Sequence, residues 1–268
     1  MIAPVAPVLE QLAAAGVRPR SITADSRKIG AGDIFAAWPG YRTDGRQFIG
    51  AAIERGAAAV LWESSDGFRA EGLPVPSVPV QGLRDAAGFL AHEIHGRPSE
   101  RLWLAGVTGT NGKTTVSQWL ARMLEGLGTR CGVIGTLGSG FPGNLAASLN
   151  TTPDALELHA TLASFVSAGA GAAAMEVSSI GLDQGRLNGA KVEVAIFTNL
   201  SRDHLDYHGT MDAYAAAKAR LFTLPGVRSS VINVDDAFGL MQARILAAAG
   251  AEVIGYTPNR VADLPSER

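Results

Sequence analysis

Along the 268-residue chain, short apolar runs alternate with stretches whose apolar positions recur at helical spacing, and turn residues separate the two. In the first hundred residues, "DIFAAW" (33–38) and "AAAVLWE" (57–63) read as strands flanking a helix over "RQFIGAAIERG". A Pro-rich edge, "LPVPSVPV", comes next, followed by a helix over 83–95. The later strands are "LWLAGV" (102–107), "CGVIG" (131–135), "GAAAMEV" (171–177), "VEVAIFTN" (192–199), "SSVINV" (229–234) and "AEVIGY" (251–256). Between them the pattern predicts helices over 113–127, 153–168, 211–224 and 236–249, with Thr152 as the cap and Pro153 in the first turn of the second. Strand and helix in alternation predict an α/β class with a mostly parallel sheet covered by helices. Gly, Pro and charge in "HGRPSE" (95–100) mark a boundary, so the expected domains are 1–97 and 98–268.

Composition narrows the partners. The chain is 47% hydrophobic and carries a formal charge of -2, a globular balance with no basic field to hold nucleic acid. Cys131 stands alone, which rules out an internal disulfide and fits a reducing compartment. The opening "MIAPVAPVLEQLAAAG" has no basic start and carries Glu10 in its apolar run, so it reads as a short amphipathic helix and not a signal peptide. No stretch reaches the roughly 18 apolar residues of a membrane span, and a cytoplasmic location is expected. After the last strand, "TPNRVADLPSER" supplies no terminating element, and the second domain is expected to be cut short.

The candidate chemistry sits at strand ends. "GVTGTNGKTT" (106–115) follows a buried strand and opens a helix, where backbone N–H groups and the helix dipole hold phosphates. Its glycines, at 106, 109 and 112, miss the common G-x-x-x-x-G-K-[ST] template by one position. Gly109 and Gly112 let the backbone approach an anion, Lys113 supplies a point charge, and Thr114 has a hydroxyl suited to Mg²⁺. Glu176 ends an apolar strand; alone, it reads equally as a solvated acid or a ligand-binding one. Asp203, His204, Asp206 and His208 crowd a loop that reads as polar surface or as metal or phosphate chemistry. Lys218 lies on an alanine-rich helix, where a solvated side chain is the ordinary reading. Yet the chain holds 19 arginines and only four lysines, at 28, 113, 191 and 218, which favours a lysine chosen for its amine. Asn150, Thr151 and Thr152 precede a helix, and Ser178, Gln184 and Arg186 follow the Glu176 strand.

In this order the motifs resemble a family. "GVTGTNGKTT" is similar to the ATP loop of the Mur ligases, G-x-x-G-T-[NK]-G-K-[ST]. "LNTTP", "EVSSIGLDQGR" and "NLSRDHLDYHGTMDAYAAAKARLF" resemble the branch that adds meso-diaminopimelate or L-lysine to UDP-MurNAc-L-Ala-D-Glu in peptidoglycan precursor synthesis. "ITADSRKIGAGDIFAAWPGYRTDGRQFI" is similar to the UDP-binding domain found there. The resemblance implies an N-terminal UDP-substrate domain, a P-loop-type central ATP domain, and an acyl-phosphate mechanism using ATP and Mg²⁺. It implies UDP contacts from Ala24, Ser26, Tyr41, Arg42 and Thr43, and ATP phosphate contacts from Gly109, Thr110, Asn111, Gly112, Lys113, Thr114 and Thr115. Asn150, Thr151, Thr152, Ser178, Gln184 and Arg186 would hold the muramoyl-dipeptide; Thr114, Glu176 and His204 would bind Mg²⁺. Lys218 corresponds to a lysine carbamylated to N6-carboxylysine, as a further metal ligand. Ile180 departs from the histidine many relatives carry. The family's third, amino-acid-binding domain is expected to be missing, and this chain by itself inactive in ligation. The alternatives are another branch (MurF, MurC, MurD, folylpolyglutamate synthase) or a non-catalytic nucleotide-binding fragment.

Overall fold

The computed structural model describes residues 5–40 and 43–257. Tyr41, Arg42 and most of the "TPNRVADLPSER" tail lie outside the described residues. The chain divides into two compact units: Met1–Arg101 with Asp154–Val166 and Gly185–Ala190, and Leu102–Pro153 with Ser167–Gln184 and Lys191–Arg268. The change-over at 101/102 lies four residues past the expected boundary, and two later segments fall in the first unit.

The first unit is built on a parallel sheet, β1 (Ile22–Thr23), β2 (Ile34–Ala37), β3 (Ala59–Glu63) and β4 (Ser77–Val80), in that spatial order. Strand alternation sorts its side chains. Ile34, Ala36, Ala59, Leu61, Val78 and Val80 pack with α1 (Val5–Ala14) and α3 (Leu83–Ile94), whose buried residues include Leu12, Leu83 and Leu90. Phe35, Ala37, Val60 and Trp62 face the other way, against Ile49 and Ala52 of α2 (Ile49–Glu54). The Pro-rich stretch becomes β4, an edge strand, where Pro79 sits without costing the sheet an inner ladder bond. Glu63, at the end of β3, accepts from the N–H groups of Gly82 and Leu83 at 3.1 and 2.8 Å, capping α3 with a carboxylate.

The second unit carries a sheet in the order β12-β11-β10-β5-β9-β6-β7-β8 among the described residues. Its members are β5 (Trp103–Thr108), β6 (Cys131–Gly135), β7 (Gly138–Phe141), β8 (Asn144–Ala146), β9 (Ala172–Glu176), β10 (Val194–Phe197), β11 (Ser229–Asn233) and β12 (Glu252–Tyr256). All pairings are parallel except the β6–β7–β8 meander. That meander was missed from sequence because "GSGFPGNLA" offers glycines in place of alternating apolar residues. At Gly138 and Gly140, both at positive φ, a Cβ would strike backbone carbonyls of Ala146 and Asn144. Helix α4 (Lys113–Gly126) packs on the face formed by Trp103, Ala105 and Val107, and α9 (Ala237–Ala248) packs against β11 and β12. Two short helices, α6 (Ser179–Asp183) and α7 (Leu205–His208), were not anticipated, and α8 (Met211–Ala219) gives way to a 3₁₀ turn over Arg220–Thr223.

Helix α5 (Ala155–Ser167) corrects one sequence expectation: Asp154, not Thr152, caps it, accepting the Glu157 N–H at 2.9 Å. Most of α5 belongs to the first unit, where Leu156 joins the α1–α3 core. There His159 is fully buried, its ring edge-on to His92 at 5.1 Å, with Nε2 2.9 Å from the Asn188 carbonyl. Because that carbonyl only accepts, Nε2 carries the proton, and Nδ1 is left without a partner. Burial pushes His159 down to about 4.

Candidate functional site

In the second unit the carboxyl ends of β10, β5, β9 and β6 lie side by side, the place where open α/β sheets bind ligands. Loop 109–112 joins β5 to α4, so the unpaired first-turn N–H groups of α4 open onto it. Its shape is enforced. Gly112 sits at φ 84° and Gly109 at φ 147°, and a Cβ on Gly109 would fall on Thr198 Oγ1. The segment after β10 pins the loop: Asn199 O accepts from the Thr110 N–H at 2.8 Å, Asn199 Oδ1 accepts from the Asn111 N–H at 3.0 Å, and Thr198 Oγ1 donates to Asn111 O at 2.6 Å. Thr110 Oγ1 lies 3.2 Å from the Tyr214 hydroxyl.

Two amines converge on one carbonyl of this loop. Lys113 Nζ donates to Gly109 O and Thr110 O, both at 2.9 Å, and Lys218 Nζ donates to the same Gly109 O at 2.7 Å. Burial lowers the Lys113 amine from its usual value. Lys218 is 1% exposed, against the solvated reading its helix suggested, and its amine stands 4.4 Å over the Tyr214 ring. Burial first, and the neighbouring Lys113 charge second, bring Lys218 down to about 7.

Beside the amines stands Glu176, 1% exposed at the end of β9. Thr114 Oγ1 donates to its Oε2 at 2.9 Å; the Thr136 N–H donates to Oε1 at 2.8 Å and the Thr136 hydroxyl to Oε2 at 3.1 Å. A Cβ on Gly135 would meet this carboxyl group, so the glycine ending β6 keeps the space for it. Thr114 hydroxyl and Glu176 carboxylate are adjacent hard oxygen donors, a pair that suits Mg²⁺ together with phosphate oxygens. No cluster of three or more His, Cys, Asp or Glu side chains able to hold a metal occurs among the described residues. His204 is at φ 50° before α7, its ring against Tyr214 at 6.1 Å and its Nε2 3.6 Å from Asp203. His208 Nε2 lies 3.0 Å from Ser179 Oγ.

The remaining candidates divide between the units. In the second, Thr152 is fully buried, donates to the Glu176 carbonyl at 3.0 Å and accepts from the Ser178 N–H at 2.9 Å. It therefore ties the residues before α5 to the strand carrying Glu176. Ser178 caps α6, Thr151 Oγ1 lies 3.0 Å from Thr136 Oγ1, Asn150 is exposed, and Gln184 Nε2 donates to the Tyr207 hydroxyl at 3.3 Å. In the first unit lie Ala24 and Thr43, both exposed, the buried Ser26, and Arg186 on the 185–190 segment. Sequence reasoning missed Gly135, Thr136, Thr198, Asn199 and Tyr214. Position was the available signal for the first four, since each ends, or follows within two residues, β6 or β10, parallel strands of the same sheet as β5.

A glycine loop between a buried strand and a helix, with one buried and one half-buried amine and an acid on the adjoining strand end, defines an α/β unit of the phosphate-binding class. Residues 107–266 match the Mur ligase middle domain and residues 19–95 match the Mur ligase family catalytic domain, and the chain belongs to the Mur ligase family. It is 53% identical over 245 residues to "UDP-N-acetylmuramoyl-L-alanyl-D-glutamate--2,6-diaminopimelate ligase" of Ectopseudomonas mendocina, covering 91% of this chain and 50% of the relative. The enzyme of the same name from Nitrosomonas europaea is 49% identical over 240 residues, covering 90% and 46%. A solved structure of that name superposes with a TM-score of 0.76 at 37% identity, covering 91% of this chain and 49% of the other. The chain thus spans about half the length of the curated relatives it matches. Thermotoga maritima MurF in complex with ADP, at 21% identity and a TM-score of 0.65, shares the fold.

Proposed function

We propose that the chain forms the UDP-substrate-binding and ATP-binding parts of a cytoplasmic, ATP-dependent ligase of the MurE type. The reaction joins UDP-MurNAc-L-Ala-D-Glu to meso-diaminopimelate; the names of relatives near 50% identity favour this amino acid over L-lysine. The observation that carries the reading is the meeting of Lys113 and Lys218 on Gly109 O beside the Thr114–Glu176 pair.

The chemistry follows from charge. A substrate carboxylate oxygen attacks the γ-phosphorus of ATP and ADP leaves; the amine of the incoming amino acid then attacks the acyl carbon, loses a proton, and phosphate departs. The first step brings two anions together. Lys113, already held at the loop by two carbonyls, exchanges those contacts for phosphate oxygens and stabilises the transferring group. Glu176 and Thr114 would hold Mg²⁺, which offsets the phosphate charge when bound. Lys218, poised near neutral pH by burial, is the amine suited to carbamylation, which needs the free base. Asn150, Thr151, Thr152, Ser178, Gln184 and Arg186 are proposed to bind the muramoyl-dipeptide, and Ala24, Ser26 and the 41–43 stretch the UDP moiety.

Thermal unfolding tests this. UDP-MurNAc-L-Ala-D-Glu at 100-fold over its Kd is expected to stabilise the chain by about 2.7 kcal/mol, seen as a raised Tm. No shift with this compound, alongside a shift with other UDP-muramoyl peptides, would remove the assignment.

A further inference from the structure

Thr136 sits between two groups with different tasks in the proposed reaction. Its N–H and hydroxyl hold one oxygen each of the Glu176 carboxylate, at 2.8 and 3.1 Å, and its Oγ1 is 3.0 Å from Thr151 Oγ1. A threonine hydroxyl has one proton to give. With that proton on Glu176 Oε2, Thr151 must be the donor in the Thr136–Thr151 pair. Thr151 then shows a ligand only lone pairs. Thr114 Oγ1 also spends its proton on Oε2, so this one oxygen accepts two hydroxyls.

We propose that Thr136 is a positioning residue that couples a divalent cation at Glu176 to the hydrogen-bonding polarity of Thr151. When Glu176 Oε2 turns its lone pairs to a cation, the Thr136 hydroxyl loses its acceptor there. It swings its proton to Thr151 Oγ1, and the Thr151 proton is released. Thr151 changes from acceptor to donor, suited to a carboxylate, phosphate or carbonyl oxygen of the ligand. The Thr136 N–H continues to hold Oε1 throughout, so the carboxylate keeps its place while one hydroxyl reverses. Thr136 is exposed, and the hydroxyl can rotate without disturbing the core. The inference rests on the proposed roles of Glu176 as a cation ligand and Thr151 as a ligand contact.

The test is a binding cycle by calorimetry on the chain, with Mn²⁺·ADP and UDP-MurNAc-L-Ala-D-Glu as probes. One hydrogen bond of ordinary strength predicts that Mn²⁺·ADP tightens the UDP compound about five-fold, and by linkage the reverse to the same degree. Thr136→Ser is expected to keep this coupling; Thr136→Val and Thr136→Ala, which retain the N–H but lack the hydroxyl, are expected to abolish it. A merely structural Thr136 would lower affinity for both ligands and leave their coupling intact. Wild-type coupling absent, or full coupling persisting in both hydroxyl-free variants, overturns the inference while leaving the ligase reading in place. Failure of the wild type to bind the UDP compound at all instead removes the ligase reading, and the inference with it.

Discussion

His159 makes the stability of the first unit depend on pH. Its neutral form is fixed by the bond from Nε2–H to Asn188 O, and protonation would place a second N–H at Nδ1, where no acceptor waits. Burial is the main cause of the shift to about 4; the His92 and His95 charges add to it, while the Asn188 carbonyl opposes it. Of the groups around the pair, Glu100 lies 3.7 Å from His92 Nε2, and Glu93 and Arg97 act on His92 with opposite sign. The unfolded side chain titrates near 6.5, so in the interval from there down to about 4 the unfolded chain takes a proton that the folded chain refuses. Stability from this group is therefore complete above about pH 6.5 and lost as pH falls through the folded value, reaching a total of about 3 kcal/mol. At pH 5 the loss is already about 2 kcal/mol. The perturbation is His159→Gln, whose amide can still donate to Asn188 O but does not titrate. Urea unfolding at several pH values, with hydrogen exchange resolved to α3 and α5, is the assay. Wild type is expected to lose about 2 kcal/mol more than the variant between pH 7.5 and 5, with exchange in α5 accelerating first. Equal acid slopes for the two proteins would refute the argument.

Other outcomes bear on the second unit. Gly135→Ala puts a methyl where the Glu176 carboxyl lies, so the acid must leave Thr136 and Thr114; Mn²⁺·ADP affinity, read by calorimetry or Mn²⁺ resonance, is expected to fall at least ten-fold, with a loss of about 1–3 kcal/mol in stability. Unchanged Mn²⁺ affinity would show that Glu176 is not a cation ligand. Lys218, at about 7, is expected to be mostly free base at pH 8 and to take up ¹³C-bicarbonate as a carbamate, visible as a carbonyl resonance that Lys218→Met abolishes; an unmodified amine in saturating bicarbonate would count against the proposed metal-ligating role.

The parallel strands were legible because strands covered on both faces read as unbroken apolar runs; β6 is the one whose bounds coincide with the expected stretch. The β7–β8 hairpin escaped because it rests on close backbone approach at glycines, and α6 and α7 because so few residues carry no helical period. The loop and Glu176 were visible as motif and strand end. Thr136 and Asn199 were not, since their work is done partly through backbone atoms and through neighbours that sequence does not place beside them. Lys218 was ambiguous for a different reason: an alanine-rich helix gives no amphipathic cue to which side faces inward. Arg46 was missed altogether; it is buried with Asp44 and Asp66 on its guanidinium and Phe68 stacked beneath, where sequence shows only an ordinary charged residue. Domain assignment by contiguity failed at α5, which follows the second unit's strands in sequence yet buries Leu156 in the first unit's core.

That last feature governs the order of events during synthesis. The first unit is not whole when residue 101 leaves the ribosome; it waits about 90 further residues for the 154–166 and 185–190 segments. At ordinary elongation rates the wait is roughly 5–20 s. Throughout that time Leu83, Leu90 and their neighbours lack Leu156, and His92 lacks the ring of His159. The nascent chain therefore carries an unfinished apolar face for seconds, a natural place for a chaperone to act and for an early stop to yield an insoluble product.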